Sequence, residues 1–169
     1  EIIEDVKNFR SEIGVLFLNG YNRDVLTKMF DDNRLTYTSL FKARPHIFVS
    51  KSNPLAKHKV VSLEDLEDFP YLSYDQGIHN SFYYSEEILS QIPHKKSIVV
   101  SDRATLFNLL IGLDGYTIAT GILNSNLNGD NIVSIPLDVD DEIDIVYLKH
   151  EKATLSKMGE KFLDNLVKE

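Results

Sequence analysis

The sequence predicts an α/β protein built largely from parallel strand–helix–strand units, and three observations carry this. From Tyr71 onward, short apolar runs of strand length alternate with stretches whose apolar residues recur every three or four positions. Residues with turn and helix-capping chemistry separate these stretches. The 169 residues, 43% hydrophobic and 26% charged, suffice for one domain or two small lobes with a real core.

The chain opens in a helical pattern with Ile2, Ile3, Val6 and Phe9 on one face. Residues 13–18 follow as an apolar run, expected to be a strand buried on both faces. After Asn19-Gly20 comes a helix with Val25, Leu26, Met29 and Phe30 on one side, expected to end at Asn33. Leu35, Tyr37, Ser39 and Phe41 read as one face of a half-exposed strand. Arg44-Pro45 interrupts before a second extended piece, residues 46–50, and a loop at 52–55. Ser62 and Asp65 form an approximate capping box for a short helix that stops before Pro70.

Residues 71–74 then read as a strand, and 81–92 as a helix with Phe82, Ile88, Leu89 and Ile92 inward. A strand at 98–100 leads to a helix at 103–113, with Leu106, Leu109, Leu110 and Leu113 inward, and a strand at 116–120. Strands at 132–136 and 143–148 flank an acidic turn, 138–142. Ser156 caps a final helix carrying Met158, Phe162, Leu163, Leu166 and Val167.

Composition removes several function classes. The longest apolar runs, 15–18 and 109–111, fall far short of a membrane span, and the opening residues lack a signal-peptide pattern. The chain has no cysteine, which excludes disulfides and cysteine-based zinc sites and suits the cytoplasm, where the protein is expected. Acids outnumber bases 26 to 18, for a net charge of −8, so this segment alone is expected to have no useful affinity for DNA. His46, His58, His94 and His150 are scattered without zinc spacing, and the 138–142 turn lacks EF-hand spacing, so no metal site is expected. Without a nucleophile-elbow, P-loop or dinucleotide motif, no catalytic residue and no cofactor are expected either.

Six segments, in order, carry a resemblance: Glu12-Ile13-Gly14-Val15; Phe48 through Pro54-Leu55-Ala56; Val61-Ser62-Leu63-Glu64-Asp65-Leu66; Ser101-Asp102-Arg103-Ala104-Thr105-Leu106; Gly115-Tyr116-Thr117-Ile118-Ala119; and Leu155-Ser156 through Phe162-Leu163. Together they resemble the effector-binding regulatory domain of LysR-type transcription regulators. Asn53 departs from the family's usual histidine, and Leu113 stands where a glycine is expected, with Gly112 displaced by one. Tyr83-Tyr84-Ser85-Glu86, with the segment from Ser101 to Leu106, is similar to a Gram-positive branch associated with sulfur amino-acid metabolism.

The resemblance implies a type 2 periplasmic-binding-protein-like fold, two Rossmann-like lobes joined by two crossover strands near 41–44 and 138–142. Residues 43–139 would form one lobe. Residues 1–42 with 140–169 would form the other, without the strand–helix–strand that opens the family's domain. DNA would be read only by a winged helix-turn-helix outside this segment. A homodimer or tetramer is expected, because residues 13–18 would lack a neighbouring strand.

In open α/β sheets, ligands bind beyond the carboxyl ends of strands, where helix N-termini offer unpaired N–H groups. Three such places are legible, plus a flanking one. Phe17 and Asn19 follow the first strand. Gly77, His79, Asn80 and Ser81 lie between a strand and a helix, as do Ser101, Asp102 and Thr105, while Thr120 flanks them. These small hydroxyl and amide groups suit a small anionic or zwitterionic effector. Taken singly, Ser81, Ser101 and Asp102 also read as plain helix caps, His79 as an exposed loop histidine and Arg103 as a helix-surface arginine. A solute-binding protein of a transporter, or an enzyme on the same fold such as a prephenate dehydratase, would share the architecture. The first should carry a secretion signal and more surface lysine, the second an acid–base pair or nucleophile, and neither is visible.

Overall fold

The computed structural model describes residues 1–75, 88–89, 91–123 and 129–167. In chain order its elements are α1 (Ile2–Lys7), β1 (Gly14–Leu18), α2 (Arg23–Asp32), β2 (Leu35–Ala43), β3 (His46–Ser50), β4 (Tyr71–Tyr74), β5 (Ser97–Val100), α3 (Arg103–Gly112), β6 (Tyr116–Ala119), β7 (Ile132–Pro136), β8 (Ile143–His150) and α4 (Lys157–Leu166). Short 3-10 turns cover Pro54–Lys57 and Glu64–Leu66. The chain is mixed α/β, as expected, and divides into two compact units. One is Glu1–Ala43 with Glu142–Glu169, the other Arg44–Asp141.

In the first unit β8 lies between β1 and β2, antiparallel to both. This central position explains why Ile143, Val146 and Leu148 are fully buried, while β1 is not the doubly buried strand expected for residues 13–18. Only Gly14 and Leu18 of β1 are buried. It is an edge strand among the described residues, so its middle three side chains stay half-covered. At Gly14 the packing against α1 is close: a Cβ there would lie 2.6 Å from Ile2 Cγ2 and 3.0 Å from Val6 Cγ2.

The amphipathic readings need three corrections here. Ile3 and Val6 are buried, but Ile2 and Phe9 are exposed. Phe9 lies beyond the helix end with φ of 56°, its ring 4.4 Å from that of His150. On β2 only Leu35 is buried, and a bulge between Ser39 and Phe41 shifts the register, so 35, 37, 39 and 41 do not share a face. α2 and α4 keep to their capping residues. Asn33 ends α2, donating from Nδ2 to the Met29 carbonyl at 2.7 Å, and Ser156 Oγ accepts from the Gly159 N–H at 3.1 Å. The core gathers Ile3, Val6, Leu18, Leu26, Phe30, Leu35, Val146 and Leu148.

The second unit holds a five-stranded sheet in the order β5-β4-β6-β3-β7. β4 is parallel to β5 and β6, but β3 is antiparallel to β6 and to β7. The expected run of parallel units from Tyr71 onward is therefore confined to three strands. An earlier strand, β3, inserts between β6 and β7, and local alternation carries no trace of that. Phe48, Leu72, Val100, Leu106, Leu110 and Ile132 pack together as its core. Leu113, expected inward, is exposed because α3 ends at Gly112. The helix expected at 81–92 lies mostly outside the described residues; Ile88 and Leu89 within it are buried. Asn53 is buried. Its Oδ1 accepts from the Leu55 N–H at 2.8 Å and its Nδ2 donates to the Asp114 carbonyl at 2.7 Å. It thus ties the 52–55 loop to the turn after α3.

Tyr71 and Tyr116 begin β4 and β6, and His94 packs against both. Its ring stacks on Tyr71 at 3.8 Å, and its Nδ1 lies 2.8 Å from the Tyr116 hydroxyl. Either group can donate in this bond; with Tyr116 as donor to Nδ1, the proton of the neutral imidazole lies on Nε2. Among the described residues, His94 Nε2 is buried with no hydrogen-bond partner. Burial holds the His94 pKa below its usual value and pushes the Tyr116 hydroxyl up to about 12. Because the folded-state histidine pKa lies below the unfolded one, its stability contribution is complete above the ordinary value of 6.5 and is lost as pH falls through and below it. Between about pH 7.5 and 5.5 the urea midpoint should fall further for the wild type than for His94→Gln. Equal falls would mean that His94 does not take up the proton.

Candidate functional site

At the carboxyl end of β1, Asn19 is buried and committed to its own turn. Its Oδ1 accepts from the N–H groups of Tyr21 (3.0 Å) and Asn22 (3.1 Å). Asn22 Oδ1 accepts in return from the Asn19 N–H at 2.9 Å, and Asn22 Nδ2 donates to the Phe17 carbonyl at 3.2 Å. This interlock starts α2 and fixes the course of the chain past Phe17. It fills the acceptor oxygen through which Asn19 would have received a hydrogen bond from a ligand.

Beside it stands a group that the sequence reading missed. Asp144 of β8 pairs in register with Leu18 and is buried. It accepts from Ser39 Oγ at 2.5 Å and from Arg23 Nη2 at 3.1 Å. Arg23 is the first residue of α2 and remains 41% exposed at its side chain. A guanidinium anchored on one side and open to solvent on another can still grip a carboxylate. The signal was legible: a lone aspartate inside the apolar run Ile143-Asp144-Ile145-Val146 asks for a buried partner.

In the second unit, the carboxyl ends of β5, β4 and β6 lie side by side. Ser101 and Asp102 follow β5, and Thr120 with Gly121 follows β6. Asp102 caps α3: its Oδ1 accepts from the Thr105 N–H at 2.9 Å and its Oδ2 from the Thr105 hydroxyl at 2.7 Å. Both bonds hold the Asp102 carboxyl below its usual pKa, the backbone bond most. The capping reading of Asp102 thus describes its contacts, and Thr105 serves the same cap. Ser101 is exposed and Thr120 half-buried. The Gly121 carbonyl accepts from Ser134 Oγ at 3.2 Å. Arg103 lies over the Phe107 ring, 4.7 Å from its centroid.

Gly77, His79, Asn80 and Ser81 lie outside the described residues. Among the described residues, no group of three or more acidic or histidine side chains could hold a metal ion, and no helix is long and apolar enough to cross a membrane.

A sequence search of curated proteins found no match. The family model for the LysR substrate binding domain matches residues 1–169. Among solved structures, the chain is similar to the effector binding domain of QuiR in complex with shikimate, with 19% identity and a TM-score of 0.64 over 99% of this chain and 75% of that one. It is similar to HinK, a LysR family regulator from Pseudomonas aeruginosa, with 15% identity and a TM-score of 0.64, covering 98% of this chain and 55% of HinK. A second, putative LysR family regulator from that organism matches at 16% identity and TM-score 0.64, again over 99% of this chain and 56% of the regulator. At these identities the structural likeness speaks for the fold, which is the periplasmic-binding-protein-like α/β fold of such domains. With a family model matched from its first residue to its last, the chain belongs to the LysR substrate-binding domain family.

Proposed function

We propose that this chain is the effector-sensing part of a LysR-type transcription regulator. It binds a small anionic or zwitterionic metabolite at the carboxyl ends of its strands and passes that event to a DNA reader. The observation that carries the reading is the family match over all 169 residues. The anionic or zwitterionic class rests, in the first unit, on the exposed Arg23 guanidinium at the start of α2 and, separately in the second unit, on the Ser101 and Thr120 hydroxyls at one edge of its sheet. Units Glu1–Ala43 with Glu142–Glu169 and Arg44–Asp141 act as the two regulatory lobes. The chain spans about half the length of the two regulators from Pseudomonas aeruginosa. The complete protein would add a winged helix-turn-helix, work in the cytoplasm as a homodimer or tetramer, and sense its ligand without converting it. No observation favours the solute-binding or enzymatic alternative.

A thermal-shift screen tests this, beginning with shikimate, since the similar QuiR domain holds it, and continuing with amino acids and sulfur metabolites. A saturable stabilisation by at least one carboxylate is expected, and none across the screen would refute the reading. For the compound found, Ser101→Ala and Thr120→Val should each weaken binding by about 1 kcal/mol, the worth of one hydrogen bond. Unchanged affinity in both would move the site elsewhere.

A further inference from the structure

The amino end of the second unit's sheet, opposite the edge that carries Ser101 and Thr120, holds a cavity of about 370 Å³. That volume is at the lower end of the range of about 300 to 1,000 Å³ typical of small-molecule sites. Leu63, Leu66, Phe69 and Ile92 give it apolar walls, and His94 and Tyr116 supply its polar lining. We propose that this cavity is a second ligand site, built for a small uncharged, largely apolar compound carrying a hydrogen-bond acceptor.

Charge decides the class. The Tyr116 hydroxyl and His94 imidazole are hydrogen-bonded to each other, and burial favours the neutral form of both. Surroundings that disfavour charge on these two groups disfavour it equally on a ligand group placed beside them. The two oppositely charged residues at the rim, Glu67 and Lys95, are bonded to one another, so neither charge is left waiting for a ligand. Glu64 also lines the cavity but is exposed to water, where it attracts a cation only weakly. With Tyr116 donating to Nδ1, Nε2 carries the imidazole proton, and among the described residues it is buried without a hydrogen-bond partner, so the lining lacks an acceptor for it. A ligand carbonyl or ether oxygen would satisfy it once the ring, now stacked on Tyr71, turns Nε2 into the cavity.

The site is independent of the effector reading, which concerns the other edge of the sheet. Three probes of matched size test it on the intact chain: benzamide, benzoate and benzylammonium. Binding is followed through the side-chain nitrogens of His94 in a ¹⁵N-histidine-labelled sample, and through contacts between probe ring protons and the Leu63 and Ile92 methyls. Benzamide should shift the Nε2 resonance saturably and bind at least about tenfold more tightly than either ion. Ile92→Trp, which fills the cavity, should abolish the shift. Should that variant fail to fold, the wild-type methyl contacts still decide the matter. Equal or tighter binding of an ionic probe, or benzamide with no contact to Leu63 and Ile92, would overturn the proposal.

Discussion

Phe30→Ala should cost about 3–5 kcal/mol of unfolding free energy, a large share of the roughly 5–15 kcal/mol that holds a typical domain folded. Phe30 is fully buried on α2 and packs with Leu26, Leu35, Val146 and Leu148, its ring 5.7 Å from that of Tyr37. Truncation removes the apolar contacts and leaves a cavity between α2 and the sheet, which strands β2 and β8 cannot close without breaking their register. The matched control is Phe162→Ala on α4 of the same unit, where the ring is 48% exposed and the change should stay within about 0.5 kcal/mol. Urea titrations of both variants check this. Comparable losses would show that the burial difference between the two rings does not exist in solution.

The contrast between those two rings also shows where the sequence was readable. Residues 23–32 placed Leu26 and Phe30 on one helical face, and both are buried there, because a helix read by its 3.6-residue period needs no knowledge of its neighbours. The same logic failed for Phe9, since the helix stops at Lys7, and for Leu113, since α3 stops at Gly112. An apolar residue one or two positions past a helix end continues the pattern in sequence but not in space. On the strands the failures have another cause. Burial of β1 depends on how many neighbours it has, and the alternation of β2 is broken by a bulge, and neither is written in the local pattern.

Site residues divide in a similar way. Ser101, Asp102, Thr105 and Thr120 were singled out because strand ends and helix starts have recognisable chemistry, and the structure sets Ser101 and Thr120 on one edge of a sheet. What each hydroxyl or carboxylate does was less legible. Asp102 and Thr105 spend their hydrogen bonds on each other, and Asn19 on its own turn. The Arg23–Asp144 pair joins residues 121 positions apart, a separation that no motif spans. The buried aspartate alone hinted at it.

Gly121→Ala should destabilise the chain by about 2–4 kcal/mol, and the reason lies in two separable effects. Gly121 has φ of 84°, a conformation that costs a residue with a Cβ about 1–2 kcal/mol. A Cβ there would also stand 2.5 Å from His46 Nδ1 and 2.7 Å from His46 Cγ. The ring cannot simply swing aside, because Nδ1 is held at 2.8 Å to the Arg44 carbonyl, where the chain enters the second unit. Relief must come from β6 or β3, whose residues Ala119 and His46 are paired in register. Since Thr120 adjoins Gly121, its hydroxyl should move as well, and on the proposed reading of that edge effector affinity should fall along with stability. Gly129 separates the two effects: its φ is 68°, but a Cβ there meets nothing within 4 Å. Gly129→Ala should therefore show the backbone cost alone, about 1–2 kcal/mol. If both alanine variants lose the same stability, the close approach of His46 to Gly121 contributes nothing, and the edge that carries Thr120 is looser than this packing requires.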